Sequence, residues 1–151
     1  MATATRIDGP FQAACFLYDR AAHAVLLHKR DGNTSVNPHK WAFFGGRALA
    51  GETDVDCCLR ELREEIGLHV TAGDLVRLRS YWNEEHALHR VVFYVEKAVP
   101  LEDLVLGEGA GMAWVELAQV MALDLTGPTR ADIGHFMERA LPHRGETPRS
   151  P

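Results

Sequence analysis

The chain has 151 residues, of which 46% are hydrophobic and 25% charged, so one soluble globular domain with its own core is expected. Its formal net charge of −5 argues against a general nucleic-acid binder, which would carry a basic patch. Three cysteines, two of them adjacent, suggest no disulfide framework, and neither a signal peptide nor a membrane-length apolar run is visible, so we expect a cytoplasmic protein that does not contact membranes.

The first elements are predicted to be a tail and a hairpin. Residues 1–10 are expected to form a flexible tail. The apolar run FQAACFLY, Phe11 to Tyr18, indicates a strand buried on both faces, and AVLLHK, Ala24 to Lys29, indicates a second strand after a short turn. Residues 31–40 are rich in turn formers and predict a loop, which leads into an aromatic run before a pair of glycines.

An amphipathic helix follows the glycine pair. Thr53 is a suitable N-cap with Asp56 three residues later, and Gly67 is suited to end the helix because glycine tolerates a positive φ. The apolar positions recur with helical spacing and form one stripe: Val55, Leu59, Leu62 and Ile66.

Three more strands and two helices complete the predicted domain. The strands are expected at Asp74–Trp82, Leu88–Lys97 and Met112–Val115, a short helix at Glu116–Leu123, and the last helix at Thr129–Leu141. We therefore predict an α/β fold, an α/β/α sandwich with a mixed sheet, as a single domain over residues 11–141. A flexible tail is expected over residues 142–151.

The central helix carries three carboxylates on one arc. Glu61, Glu64 and Glu65 are spaced by i+3 and i+4, away from the apolar stripe. Clustered carboxylate oxygens suit a hard cation such as Mg²⁺, whereas the alternative is a solvated acidic face.

The spacing around these carboxylates is more specific. Gly46, Glu52, Arg60-Glu61-Leu62, Glu64-Glu65 and Gly67-Leu68 match every position of the Nudix box, G-x5-E-x7-R-E-U-x-E-E-x-G-U with U apolar. The chain therefore resembles the Nudix hydrolase family, whose fold is the same α/β/α sandwich. The resemblance implies hydrolysis of a nucleoside diphosphate linked to another group, X, with Mg²⁺ or Mn²⁺ as cofactor.

The resemblance also assigns roles to residues of the box. Glu61, Glu64 and Glu65 would hold the metal, and the Gly45 carbonyl is a further candidate ligand. Arg60 and Glu52 would join the loop to the helix through a charge-assisted hydrogen bond.

The general base is left open among three glutamates. Glu64 and Glu65 are candidates within the box, and Glu108, in the glycine-rich sequence GEGAG, is a candidate base and metal ligand outside it. For Glu108 the alternative is a solvated loop acid.

The substrate-binding candidates lie before the helix. Arg30 and Arg47 are candidates to bind a phosphate, because guanidinium groups match phosphate oxygens, against the alternative that each is a surface arginine. Phe44 and, less favoured, Trp82 are candidates to stack on a base, against the alternative that strand aromatics belong to the core. His86 and His89 are expected to face solvent.

The sequence also bears on the nature of X, through motifs that distinguish the subfamilies. The marks of several subfamilies are absent, for example the proline that many ADP-ribose pyrophosphatases carry soon after the box. This favours a (deoxy)nucleoside triphosphate pyrophosphohydrolase of the house-cleaning type, with a nucleotide-sugar or ADP-ribose pyrophosphatase as the alternative.

Two other classes of function are weaker alternatives. A non-catalytic nucleotide sensor would show a degraded box, and a prenyl diphosphate isomerase would need a catalytic cysteine, for which Cys15 in a buried strand is unsuited. The expected partner is a small-molecule nucleotide, and a homodimer is a candidate assembly.

Overall fold

The computed structural model describes residues 2–33, 38–107 and 109–140, which form seven strands and three α-helices. The strands are β1 Phe11–Asp19, β2 Ala24–Lys29, β3 Trp41–Ala42, β4 Phe44–Arg47, β5 Leu75–Asn83, β6 Leu88–Glu96 and β7 Gly111–Glu116. The helices are α1 Asp54–Ile66, α2 Leu117–Val120 and α3 Gly127–His135. The predicted elements are therefore all present, with ends displaced by a few residues.

The strands form one mixed sheet. Its order is β3-β2-β1-β6-β5, with β4 also paired to β1 and β7 to β2. Strands β1 and β6 run parallel and all other pairs run antiparallel, and the predicted β1–β2 hairpin is confirmed. The strand order had not been predictable from residue patterns, because local patterns do not specify which strands pair.

A hydrophobic core lies on each face of the sheet. Side chains alternate along β1, so that Ala13, Cys15 and Leu17 pack with α1, whereas Ala14 and Phe16 pack with the α3 side. The α/β fold with helices on both faces, predicted from the sequence, is confirmed.

Helix α1 begins and ends where its capping residues predict. Thr53 and Asp56 form a reciprocal capping box, with both hydrogen bonds 3.1 Å long, and Gly67 closes the helix with a φ of 65°. The predicted apolar stripe faces the sheet: Val55, Leu62 and Ile66 are buried, and Leu59 is partly buried against the same core.

The N-terminal segment differs from the flexible tail expected over residues 1–10. The Ala2 amide donates to the Leu75 carbonyl (3.1 Å), the Asp54 amide donates to the Thr5 carbonyl (3.1 Å), and the Thr5 amide donates to the Asp54 carboxylate (2.8 Å). Asp54 is buried and pairs with Arg77, whose guanidinium also donates to the Thr3 carbonyl. These contacts hold the segment against β5 and α1.

The C-terminal helix starts earlier than predicted. Thr126 caps α3 by accepting a hydrogen bond from the Thr129 amide, and Pro128 lies in the first turn, where its missing N–H costs nothing. The chain continues as a π-helical turn over Phe136–Ala140, and the predicted tail over residues 142–151 lies outside the described residues. No helix in the described ranges is long and apolar enough to cross a membrane.

Candidate active site

Arg60 is the centre of the candidate site. Its Nε and Nη2 donate to the two carboxylate oxygens of Glu52 at 2.8 and 3.0 Å, which is the bidentate geometry that guanidinium and carboxylate groups favour. Its Nη1 donates to Glu61 (2.9 Å) and Glu64 (3.0 Å), and Nη2 also donates to the Arg47 carbonyl (3.1 Å). One side chain thus connects the box loop, the end of β4 and two carboxylates of α1.

The pKa values of two carboxylates in this cluster, Glu52 and Glu61, are shifted in opposite directions. The hydrogen bond from Arg60 lowers the pKa of Glu52, because it stabilises the ionised carboxylate. Burial raises the pKa of Glu61, even though the charge and hydrogen bond of Arg60 oppose that shift. The pKa of Arg60 itself is raised, first by its hydrogen bond to Glu52. Burial therefore disfavours the ionised form of Glu61, and a further positive charge nearby would favour it.

The two box glycines bring β4 close to the acidic face of α1. The Gly45 amide donates to Glu65 Oε2 at 2.8 Å. Gly45 has a φ of 144°, and a Cβ there would collide with the Ala13 carbonyl. A Cβ on Gly46 would lie 2.7 Å from Glu61 Oε1, so that a side chain there would displace this carboxylate.

The predicted metal ligands share one side of α1 but do not form a metal centre as they stand. Arg60 binds Glu61 and Glu64, and the Gly45 amide binds Glu65. Within the described ranges, no three His, Cys, Asp or Glu side chains stand close enough together to hold a metal ion. The donor set nevertheless fits a hard divalent cation, since all its members are oxygens and a single Arg60 nitrogen reaches both Glu61 and Glu64. Glu108, the candidate outside the box, falls outside the described residues.

A cleft of about 120 Å³ opens beside β4 on the α3 side of the sheet. Its walls come from β1, from the β3–β4 segment, from the first turn of α3 and from the β5–β6 turn. It is lined by Gln12, Ala13, Ala14, Arg30, Ala42, Phe43, Phe44, Gly45, His86, Arg90, Thr126, Pro128 and Thr129. Gly45 in β4 and Arg90 in β6 lie on opposite sides of β1, and the Gly45 amide donates to Glu65, so the Gly45 side of the cleft adjoins the acidic face of α1.

The structure separates the three predicted substrate-binding residues. Arg30 lines the cleft. Arg47 is exposed and is not among the lining residues. It pairs with Gln12 in the β1–β4 register, and its side chain therefore lies on the same face of the sheet as the cleft. Phe44 is among the lining residues, but it is 1% exposed and its ring stacks on His28 on the α1 side of the sheet, so the prediction that it stacks on a base is not supported.

Two further expectations change in the structure. His86 is half-buried and lines the cleft rather than facing solvent. Trp82 is 50% exposed but does not line the cleft.

The sequence did not reveal a buried ion cluster next to the cleft. Asp132 of α3 is 0% exposed and accepts hydrogen bonds from Arg79 (2.8 and 3.1 Å), Tyr81 (2.9 Å) and Arg90 (2.8 Å). The four residues come from two strands and a helix that are distant in the chain, so no sequence motif predicts that they meet. One feature of the sequence could have indicated the cluster. Arg79, Tyr81 and Arg90 place polar side-chain atoms within predicted strands, and such atoms need hydrogen-bond partners if they are buried.

The cysteines offer no reactive thiolate. Cys15, Cys57 and Cys58 are all buried. Burial raises the pKa of Cys57 to about 12, and a hydrogen bond with Cys15, together with burial, raises the pKa of Cys58. Loss of solvent, more than the nearby carboxylates, is the larger cause at Cys57.

Comparison with known proteins identifies the domain type. The family model described as NUDIX domain matches residues 10–139. A protein named nucleoside triphosphatase NudI, from Enterobacter sp. (strain 638), is 30% identical over 71% of this chain and 83% of its own length. A protein of the same name from Salmonella typhimurium is 26% identical over 70% of this chain and 82% of its own.

Solved structures resemble the fold. A MutT protein from Methanosarcina mazei Go1 superimposes with a TM-score of 0.69 at 18% identity, covering 89% of this chain and 99% of that one. The NUDIX domain of Shewanella oneidensis NrtR, solved with ADP ribose, gives a TM-score of 0.68 at 18% identity, with 87% of each chain covered. At these identities the likeness concerns the fold alone.

Proposed function

This chain belongs to the Nudix family and is a Nudix pyrophosphohydrolase, and on that premise we propose that it hydrolyses (deoxy)nucleoside triphosphates with the help of Mg²⁺ or Mn²⁺. The observation that carries the proposal is the Arg60 cluster, in which one guanidinium connects Glu52, Glu61 and Glu64 of an unbroken box. A structural surface network would not need this charge density, since like carboxylates at helical spacing repel each other.

The metal would be held by Glu61, Glu64 and Glu65, with the Gly45 carbonyl as a further ligand. When bound, a divalent ion neutralises diphosphate oxygens and promotes deprotonation of the attacking water. Arg60 keeps its carboxylate partners in place through hydrogen bonds of 2.8 to 3.0 Å, and Glu52 fixes Arg60 in turn. Burial raises the pKa of Glu61, and a cation bound beside it would favour the ionised carboxylate.

Other side chains are candidates for the general base and for phosphate binding. Glu64 has a side chain that is 60% exposed and within reach of solvent, which supports it as a candidate general base. Glu65 and Glu108 remain the other candidates. Arg30 lines the cleft and suits the phosphate oxygens of a bound nucleotide.

The choice of triphosphates rests on two observations. The two relatives described above match this chain over more than four-fifths of their own length, and both are named nucleoside triphosphatases. The marks of several other subfamilies are absent from the sequence, for example a proline soon after the box. Nucleotide sugars and ADP-ribose are the alternative substrates, and a cytoplasmic location and a homodimer remain predictions.

Product release across a substrate panel tests the proposal. The purified protein is assayed with Mg²⁺ or Mn²⁺ on nucleoside triphosphates, oxidised triphosphates, nucleotide sugars, ADP-ribose and dinucleoside polyphosphates. We expect triphosphates to be the best substrates and turnover to require the metal. Faster turnover of another class would replace the substrate assignment, and absence of turnover together with tight nucleotide binding would favour a non-catalytic nucleotide sensor.

A further inference from the structure

We propose that Arg90 is a specificity-determining residue that reads hydrogen-bond acceptors on the nucleobase and thereby favours keto bases over amino bases. The inference rests on the proposed function, because it treats the cleft as the site of a nucleotide. Arg90 lies in β6 and lines the cleft, although only 7% of its side-chain surface is exposed. A guanidinium that is so nearly buried requires acceptors.

Asp132 sets the orientation of this guanidinium. In the described part of the chain, Arg90 donates one side-chain hydrogen bond, from Nε to Asp132 Oδ2 at 2.8 Å. The other Asp132 oxygen is occupied by Arg79 and Tyr81, so the carboxylate is held from three sides. With Nε engaged, the terminal nitrogens Nη1 and Nη2 of Arg90 have no protein acceptor among the described residues, and they form a fork for a ligand.

The local charge also favours an acceptor. A single buried carboxylate, Asp132, faces two guanidinium groups, those of Arg79 and Arg90, which leaves the cluster positive. The first turn of α3, with Thr126, Pro128 and Thr129, lines the same cleft, and its helix dipole adds partial positive charge. A donor group of a ligand would be repelled at this end of the cleft.

The apolar part of the lining suits a base rather than a phosphate. Ala14, Ala42 and Phe43 supply apolar surface for a planar ring. Gly45 contacts Glu65 and marks where the cleft meets the acidic face of α1, the candidate place for the phosphates. The two ends of one nucleotide would then occupy the two ends of the cleft.

The donor fork of Arg90 would distinguish bases by one exocyclic group. Guanine offers the acceptors O6 and N7 to an arginine fork, and uracil or thymine offers O4. Adenine and cytosine carry an amino donor at the corresponding position, N6 or N4. Gln12 pairs with Arg90 in the β1–β6 register and also lines the cleft, so its amide is placed to bind a further edge of the base.

Equilibrium binding of nucleoside monophosphates tests the proposal without requiring catalysis. Dissociation constants of GMP, UMP, AMP and CMP are measured by calorimetry on the wild-type protein. We expect GMP and UMP to bind roughly 5- to 150-fold more tightly than AMP and CMP. In the Arg90→Lys variant, which keeps the charge but loses the fork, the ratio should fall towards one.

Arg77→Lys is the matched control. Arg77 also pairs with a buried aspartate, Asp54, but it lies at the N-terminal segment and not at the cleft. The control should keep the preference for keto bases, and thermal unfolding of both variants reports any loss of stability. A folded Arg90→Lys variant that keeps the preference would overturn the assignment.

A measurement on the wild-type protein covers the case in which Arg90→Lys does not fold. The side-chain ¹⁵N–¹H signals of Arg90 should shift when GMP is added and remain in place when AMP is added. Unchanged signals with both, or equal affinities for all four nucleotides, would contradict the proposal. Monophosphates contain no anhydride to cleave, so these outcomes are independent of whether the triphosphatase assignment succeeds.

Discussion

Arg60 and Glu52 join the box loop to helix α1 through two parallel hydrogen bonds of 2.8 and 3.0 Å, and both side chains are only 14% exposed. A surface ion pair would contribute little, but this pair also orients Arg60 towards Glu61 and Glu64. The relationship therefore links a residue outside the helix to the candidate metal ligands.

Replacing Arg60 by lysine should reduce kcat/KM by about 10- to 100-fold while the protein remains folded. Lysine keeps the positive charge but cannot form the fork to Glu52 and reach the α1 carboxylates at the same time. Steady-state kinetics at saturating Mg²⁺ and the far-UV circular dichroism spectrum measure the two effects. Arg63→Lys, an exposed position in the same helix, is the control and should behave as wild type. An Arg60→Lys variant with wild-type kcat/KM would show that the fork has no catalytic importance.

Replacing Gly46 by alanine should displace the Glu61 carboxylate, because the new Cβ would lie 2.7 Å from its Oε1. A shift of about 1 Å in an active-site group costs about a hundredfold in rate, so kcat should fall by that order. Gly73→Ala is the matched control, since its Cβ would meet its nearest neighbour, Thr71 Oγ1, at an ordinary 3.5 Å. Equal activity of the two variants would argue against a close packing requirement at Gly46.

His28 should make the protein less stable in mild acid. Burial lowers its pKa below the ordinary 6.5, and in the folded state its Nε2 lies 2.9 Å from the Phe43 carbonyl. Above about pH 6.5 the imidazole is neutral in both states and has no effect on the pH dependence. As the pH falls below that value, the unfolded state binds the proton first, so the free energy of unfolding decreases until the folded-state pKa is reached.

Chemical denaturation between pH 7.5 and pH 5 measures this dependence. The His28→Gln variant should lose less of its unfolding free energy on acidification than the wild type does. His69→Gln changes an exposed histidine and should leave the slope as it is. A slope that His28→Gln does not alter would assign the acid sensitivity to other groups.

Local signals made the central part of the molecule predictable. The limits of α1 follow from the Thr53–Asp56 capping box and from Gly67, and the pairing of Arg60 with Glu52 was implied by the resemblance to the Nudix box. Each of these depends on residues that are near in the chain. The β1–β2 hairpin was predictable for the same reason.

Relationships across the sheet were not predictable. Phe44 and Arg47 are three residues apart, but the β1–β4 register puts Phe44 opposite Cys15 in the α1 core and Arg47 opposite Gln12 on the cleft side. A sequence cannot show this without the strand pairing. The Asp54–Arg77 pair and the Asp132 cluster join residues 23 to 53 positions apart, for which the chain carries no spacing signal.

Metal-dependent product release from the best nucleoside triphosphate, compared between wild type, Glu64→Gln and Glu65→Gln, tests the central claim most directly. Both side chains face away from the apolar stripe of α1, so the variants should keep the unfolding temperature of an exposed control, Glu102→Gln. We predict that turnover in the wild type rises with Mg²⁺ and that each variant loses most of it at every Mg²⁺ concentration. Near-normal activity in both variants, or wild-type turnover that is unchanged by removal of divalent ions, would contradict the assignment of these carboxylates to a catalytic metal site.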